Sequence, residues 1–198
     1  MRTFPLRSAA MVAATALALL LSGCAATRVR PPSPADTAAT ARTLIDYEGR
    51  FAVKYNDQNG TERNAYGNFT WHQEGDTVSV EFKNPLGQTL AIIESAPASA
   101  TLQLPNHPPQ TAAKIDDLMH DALGFALPVS SLRYWLEARP APDSTAKTDV
   151  DSGNGRLKEL KQNGWTVDYY EYAQDNSVKR MHLTHEDPPL AIGIVLDH

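Results

Sequence analysis

One cysteine, Cys24, is all the thiol chemistry that 198 residues hold, so no intramolecular disulfide can form. No apolar run reaches the about 20 residues that a membrane-spanning helix needs. Lys and Arg are nowhere clustered, and 18 basic side chains stand against 23 acidic ones. That leaves no patch to neutralise a phosphate backbone and excludes nucleic-acid binding. A glycine-rich phosphate loop is missing, as is the Gly-x-Ser-x-Gly elbow of serine hydrolases. His182 and His185 lie three apart on a strand-like stretch, which turns their rings to opposite faces and away from a shared metal. An enzyme has little left to rest on, and no cofactor or metal is expected.

What is present begins with Arg2 and Arg7, followed by an apolar run from Ala9 to Leu21, the shape of a secretory signal. Leu21-Ser22-Gly23-Cys24 has the form of a bacterial lipobox, small residues before a cysteine whose thiol takes up diacylglycerol. Lipidation explains a lone thiol in an oxidising compartment, and each buried methylene of the added chains contributes about 0.8 kcal/mol of membrane affinity. Residues 1–23 are therefore expected to be a signal peptide and Cys24 a lipid anchor. The residue after the cysteine is Ala25 and not Asp, which by resemblance to enterobacterial sorting rules argues for the outer membrane. Residues 1–23 carry two of the basic and none of the acidic side chains, leaving 175 residues with a formal net charge of −7. Residues 24–42, rich in Pro, Ala, Thr and Ser, cannot bury enough apolar surface to offset their ordering entropy and read as a tether. Residues 43–198 suffice for one domain with a substantial core.

Within that domain Tyr47, Gly49, Phe51, Val53 and Tyr55 share one face while Glu48, Arg50, Ala52 and Lys54 share the other, the alternation of a half-exposed antiparallel strand. The turn signal Asn56-Asp57-Gln58-Asn59-Gly60 follows. Similar patterns predict strands over 65–73, 77–83 and 88–95, joined by tight turns at Gly75-Asp76 and Asn84-Pro85-Leu86-Gly87, and a short one over 100–104. Ala112, Ile115, Leu118, Met119, Ala122 and Leu123 then keep helical spacing, with Thr111 as N-cap and Gly124 as stop. A second short helix, capped by Ser130 or Ser131, carries Leu132, Trp135 and Leu136 and ends at Pro140. Residues 139–154 read as a loop. Strand patterns return over 155–162, 164–173, 178–185 and 190–197. Strands, a helical insert, then strands again indicate an α+β fold with a predominantly antiparallel sheet.

Four stretches carry a family resemblance: Gly49-Arg50-Phe51-Ala52-Val53 with Gly67-Asn68-Phe69-Thr70-Trp71; Asn84-Pro85-Leu86-Gly87; Leu127-Pro128-Val129 leading into Leu132-Arg133-Tyr134-Trp135-Leu136; and Gly164-Trp165-Thr166-Val167. In this order, and with the lipobox, the chain resembles the outer-membrane lipoprotein receptor LolB family over nearly all of residues 24–198. Ala138, before Arg139-Pro140, stands where that family's pattern leads one to expect glycine. The resemblance implies an unclosed antiparallel β-barrel, LolA/LolB-like, with a helical lid over a hydrophobic cavity for acyl chains. It implies a monomeric receptor on the periplasmic face of the outer membrane, which accepts lipoproteins from the periplasmic carrier LolA and inserts them into outer-membrane lipid. Candidates for the cavity lining are Phe51, Val53, Phe69, Trp71, Val80, Phe82, Leu90, Ile92, Trp165 and Val167 on strands, with Leu118, Met119, Leu132 and Trp135 beneath the lid. By spacing alone, each is as readily plain core. A lipid-binding or assembly-accessory outer-membrane lipoprotein of another kind stays open as the second reading.

Asn first, Pro second and Gly fourth is the chemistry of a type I turn, which pins Leu86 at the third corner. Turn tips between strands favour polar residues, so this leucine either folds back on its own domain or touches something apolar. The resemblance implies the second, because in LolB the leucine at the matching position protrudes and delivers lipoproteins into the bilayer. Burying one leucine is worth about 1.5–3 kcal/mol, enough to orient a protein that is already anchored. If the carrier docks through charge, the net −7 calls for a basic surface on it and an association rate that falls with salt.

Overall fold

A computed structural model describes residues 44–56, 59–123 and 127–197. Cys24, the signal and tether segments, Asp57, Gln58, Gly124 and the side chains of Ala122 and Leu123 lie outside the described residues. Six strands come first: β1 (Leu44–Asn56), β2 (Glu62–Glu74), β3 (Thr77–Lys83), β4 (Thr89–Ala96), β5 (Ser99–Gln103) and β6 (Gln110–Ala112). Two helices follow, α1 (Ile115–Leu123) and α2 (Val129–Trp135). Five more strands complete the domain: β7 (Lys147–Val150), β8 (Leu157–Gln162), β9 (Trp165–Tyr172), β10 (Val178–His185) and β11 (Leu190–Asp197).

All eleven strands form one sheet in the order β6-β5-β4-β3-β2-β1-β11-β10-β9-β8-β7, and every neighbouring pair is antiparallel. The last strand lies against the first, from Glu48 opposite Asp197 to Tyr55 opposite Leu190. The sheet does not close on itself, because β6 and β7 are its two edges and the helical insert lies between them in sequence. Alternation decides what faces inward: Gly67, Phe69, Trp71 and Gln73 on β2, and Leu190, Ile192, Ile194 and Leu196 on β11, are buried while the residues between them are not. One continuous core contains residues from both runs of strands and from both helices.

Three local expectations are corrected. Thr111 is no N-cap; it pairs with Thr101 in β6, and α1 starts at Ile115 with Asp116 and Asp117 in its first turn, where carboxylates favour the helix dipole. Ser130 and Ser131 lie inside α2, whose N-cap position is Pro128 without a side-chain hydrogen bond; Ser130 Oγ instead donates to Asp116 Oδ2 at 2.7 Å and ties the helices together. Residues 147–150 form the edge strand β7, exposed along its whole length. With no buried face it has no alternation to read.

The C-terminal end of α2 is fixed to the sheet by buried polar groups. Gln162 Oε1 accepts from Trp135 Nε1 at 3.0 Å and from Ala141 N at 2.9 Å, while its Nε2 donates to the carbonyls of Ala141 and Ser144, both at 2.8 Å. Tyr169 Oη donates to the Trp135 carbonyl at 3.0 Å. A buried amide with both ends satisfied fixes orientation without an unpaired group's desolvation penalty. Arg133 Nη2 adds hydrogen bonds to Gly75 O at 2.8 Å and Asp76 Oδ1 at 3.0 Å, on the turn between β2 and β3. So held, α2 presents buried Val129 and Leu132 to the interior.

Candidate functional site

Between β1–β5, β11 and α2 lies a cavity of about 210 Å³, lined only by apolar and aromatic residues. Its floor is made of Phe51, Phe69 and Phe82, with Phe51 edge-on to Phe82 at 5.1 Å and Phe69 tilted against it at 6.4 Å. Two glycines let these rings lie down. Gly49 faces Phe69 and Gly67 faces Phe51 across the β1–β2 pair, and a Cβ on Gly49 would meet the Phe69 ring at 2.9 Å, one on Gly67 the Phe51 ring at 3.2 Å. A Cβ on Gly67 would also collide with the Lys83 carbonyl. Leu127, Val129, Leu132 and Leu136 form the roof, and Trp71, Val80, Ile93 and Leu102 line the cavity farther along the same strands.

Eight of the fourteen candidate lining residues border this space: Phe51, Val53, Phe69, Trp71, Val80, Phe82, Leu90 and Leu132. Six do not. Ile92 lies on the other face of β4, because a bulge leaves Leu90 unpaired between Lys83–Thr89 and Phe82–Ala91. That extra residue shifts the phase and puts Ala91 and Ile93 inward instead. Leu118 and Met119, on α1, are buried core. Trp135, Trp165 and Val167 belong to the other half of the domain, where Trp135 packs on Trp165 with centroids 6.3 Å apart and Val167 is completely buried between Leu160 and Leu183. Tyr55, Ala65, Leu102, Leu104, Leu136, Ile192 and Ile194 also line the cavity and were not among the candidates. Tyr55 shares a face with Phe51 and Val53, a signal already present in the alternation. Ile192 and Ile194 pair with Val53 and Phe51 only because the last strand returns to the first.

The turn after β3 holds its leucine outward. Gly87 N donates to Asn84 O at 2.9 Å, closing the turn, and Asn84 Oδ1 accepts from the amides of Leu86 and Gln88, both at 3.0 Å. Asn84 Nδ2 donates to Gln88 Oε1 at 2.8 Å, and Gly87 takes a positive φ of 82°, which glycine adopts without strain. Leu86, so fixed, is 86% exposed. Just below, Glu81 accepts from Lys83 Nζ at 2.9 Å and Thr89 Oγ1 at 2.7 Å, contacts that hold its carboxyl below the usual range and staple β3 to β4. Tyr55, Ala65, Leu90 and Leu104 come from the strand ends nearest this turn and are partly exposed, whereas Trp71, Val80, Ile93 and Leu102 at the far end are buried, so the cavity opens on the side of the Leu86 turn.

The family model described as Outer membrane lipoprotein LolB matches residues 44–198. The Outer-membrane lipoprotein LolB of Ralstonia nicotianae is 41% identical over 191 residues, covering 90% of each chain. That of Cupriavidus pinatubonensis is 39% identical over 189 residues, covering 90% of this chain and 89% of the relative. A solved DUF1329 family protein from Desulfovibrio piger superposes with a TM-score of 0.50 at 8% identity over 79% of this chain and 85% of that one, a likeness of fold alone. With the family match running from the first strand to the last residue, and with relatives aligned along about nine-tenths of both chains, this chain belongs to the outer-membrane lipoprotein LolB family.

Proposed function

We propose that this protein shelters the acyl chains of incoming lipoproteins in the cavity between β1–β5 and α2, and releases them into outer-membrane lipid at Leu86. Family membership makes the chain an outer-membrane lipoprotein receptor for cargo carried by LolA, not an enzyme. The residues that perform each step are the part proposed. One observation carries the reading: a cavity without a charged side chain in its lining opens on the side where a fully projecting leucine is fixed.

Each exposed methylene of an acyl chain costs about 0.8 kcal/mol in water, so cargo must pass from one apolar container to the next. Handover from the carrier needs only a tighter grip on the acyl chains, since a ligand shifts an equilibrium by its differential affinity. Leu86 then gives the loaded receptor a foothold in the bilayer. Cys24 supplies the lipid anchor, and the receptor works as a monomer. The test is a reconstituted transfer in two steps, uptake from the carrier and insertion into vesicles. Leu86→Glu should leave uptake intact and abolish most of the insertion; unchanged insertion would refute the role of Leu86. An accessory lipoprotein of another kind would fail the first step, so a form starting after Cys24 that draws no lipoprotein off the carrier would favour that alternative.

A further inference from the structure

Among the described residues six large apolar side chains are exposed, and three of them, Tyr66, Leu86 and Leu90, gather at the end of β2–β3–β4 where the cavity opens. Tyr66 is 66% exposed on the outer face of β2, directly before Gly67, whose backbone lies against the Lys83 carbonyl at the foot of the turn. Leu90 is the unpaired residue of the β4 bulge, and it both lines the cavity and remains 38% exposed. Leu90 thus belongs to the cavity lining, Leu86 to the turn just beyond it, and Tyr66 to the outer face of the sheet at the same end. Clustering of exposed apolar groups on one edge of a soluble domain marks an interaction surface, and a tyrosine beside leucines suits the boundary between water and hydrocarbon, with its ring in the apolar layer and its hydroxyl at the headgroups.

We infer that Tyr66 and Leu90 complete, with Leu86, a lipid-facing rim that seats the cavity mouth on the bilayer, so that an acyl chain leaves across Leu90 without crossing water. This rests on the membrane role proposed for Leu86 and adds the orientation of the mouth. The partner is a phospholipid surface. Leu90 supplies what a lone tip cannot: an apolar path that continues from the cavity wall to the outside.

Indole reporters in the full, lipidated chain test it, reconstituted on vesicles of phosphatidylethanolamine and phosphatidylglycerol with or without brominated acyl chains. The three native tryptophans are 2%, 0% and 5% exposed at positions 71, 135 and 165, and their signal is subtracted using the unsubstituted protein. Tyr66→Trp, Leu86→Trp and Leu90→Trp should each lose most of the added emission to bromine. Tyr170→Trp, equally exposed at 65% but four strands away on β9, should lose none. Quenching of Leu86→Trp without Tyr66→Trp or Leu90→Trp overturns the rim and leaves the tip standing. No quenching at any of the three removes the membrane role of Leu86 as well. Equal quenching at Tyr170→Trp overturns the orientation. A release assay gives a second readout: Tyr66→Ser should slow insertion into the same vesicles several-fold with uptake from the carrier unchanged, and an unaltered insertion rate counts against the rim.

Discussion

Between β1 and β5 the inward side chains are phenylalanines laid over glycines, and the roof of Val129 and Leu132 stops short of them. Between β8 and β10 they are Leu160, Trp165, Val167, Tyr169, Met181 and Leu183, all buried, with Trp135 of α2 packed among them and held by Gln162 and Tyr169. Both halves come from the same two-residue alternation. The difference lies in what one short helix places over each: a large ring at its C-terminal end fills one half, and smaller aliphatic groups toward its N-terminal end leave the other hollow. The solid half thus holds in place the helix that roofs the hollow one.

Trp135→Ala should break this contrast most severely, by opening a second hollow in the solid half and removing one of the two donors to Gln162 Oε1. A loss of about 3–5 kcal/mol in denaturant unfolding is expected; a loss below about 1 kcal/mol would show that α2 is not anchored there. A matched pair sharpens it. Leu160→Ala, in the solid half, should cost in the range of about 2–5 kcal/mol for a leucine deleted from a filled core, and Leu132→Ala, over the hollow, at or below the bottom of that range because fewer contacts are lost. Equal costs would mean that the cavity is not open space.

Smaller effects follow from single groups in the anchoring region. Burial pushes the Tyr169 hydroxyl well above its ordinary value. A raised folded-state pKa gives stability that is fully present below about pH 10, where the unfolded phenol begins to ionise, and that is lost as the pH rises further. Tyr169→Phe should cost about 1 kcal/mol near neutrality through the lost bond to the Trp135 carbonyl, and should make alkaline unfolding less steep. An unchanged alkaline limb would contradict this. Ala138 holds a φ of +52° just after α2, in the left-handed region that favours glycine. Relieving that strain with Ala138→Gly should gain up to about 1 kcal/mol, read as a modest rise in Tm, and a fall would argue against it.

The sequence displayed the strands wherever one face is buried: 77–83, 178–185 and 190–197 are read to the residue. It hid β7, which buries nothing, and β6, a three-residue strand that exists through its pairing with β5. For the site, alternation tells which side chains point inward but not whether they meet a partner or a void. Trp165 and Val167 were therefore grouped with Phe69 and Val80, although α2 fills the space above the first pair and not the second. Ile92 was misplaced because a bulge beside the turn reverses the phase of β4. The exposure of Leu86 was legible because asparagine, proline and glycine fix the other three corners of its turn.

The central claim is that the hollow half, and not the solid one, holds acyl chains. A lipoprotein carrying a photoactivatable group along its acyl chain, delivered by the carrier and irradiated before vesicles are added, tests this most directly. The expected adducts fall on the peptides bearing Phe51, Phe69, Val80, Ile93 and Leu132; adducts confined to β8–β10, or to the outer surface of the sheet, would contradict it.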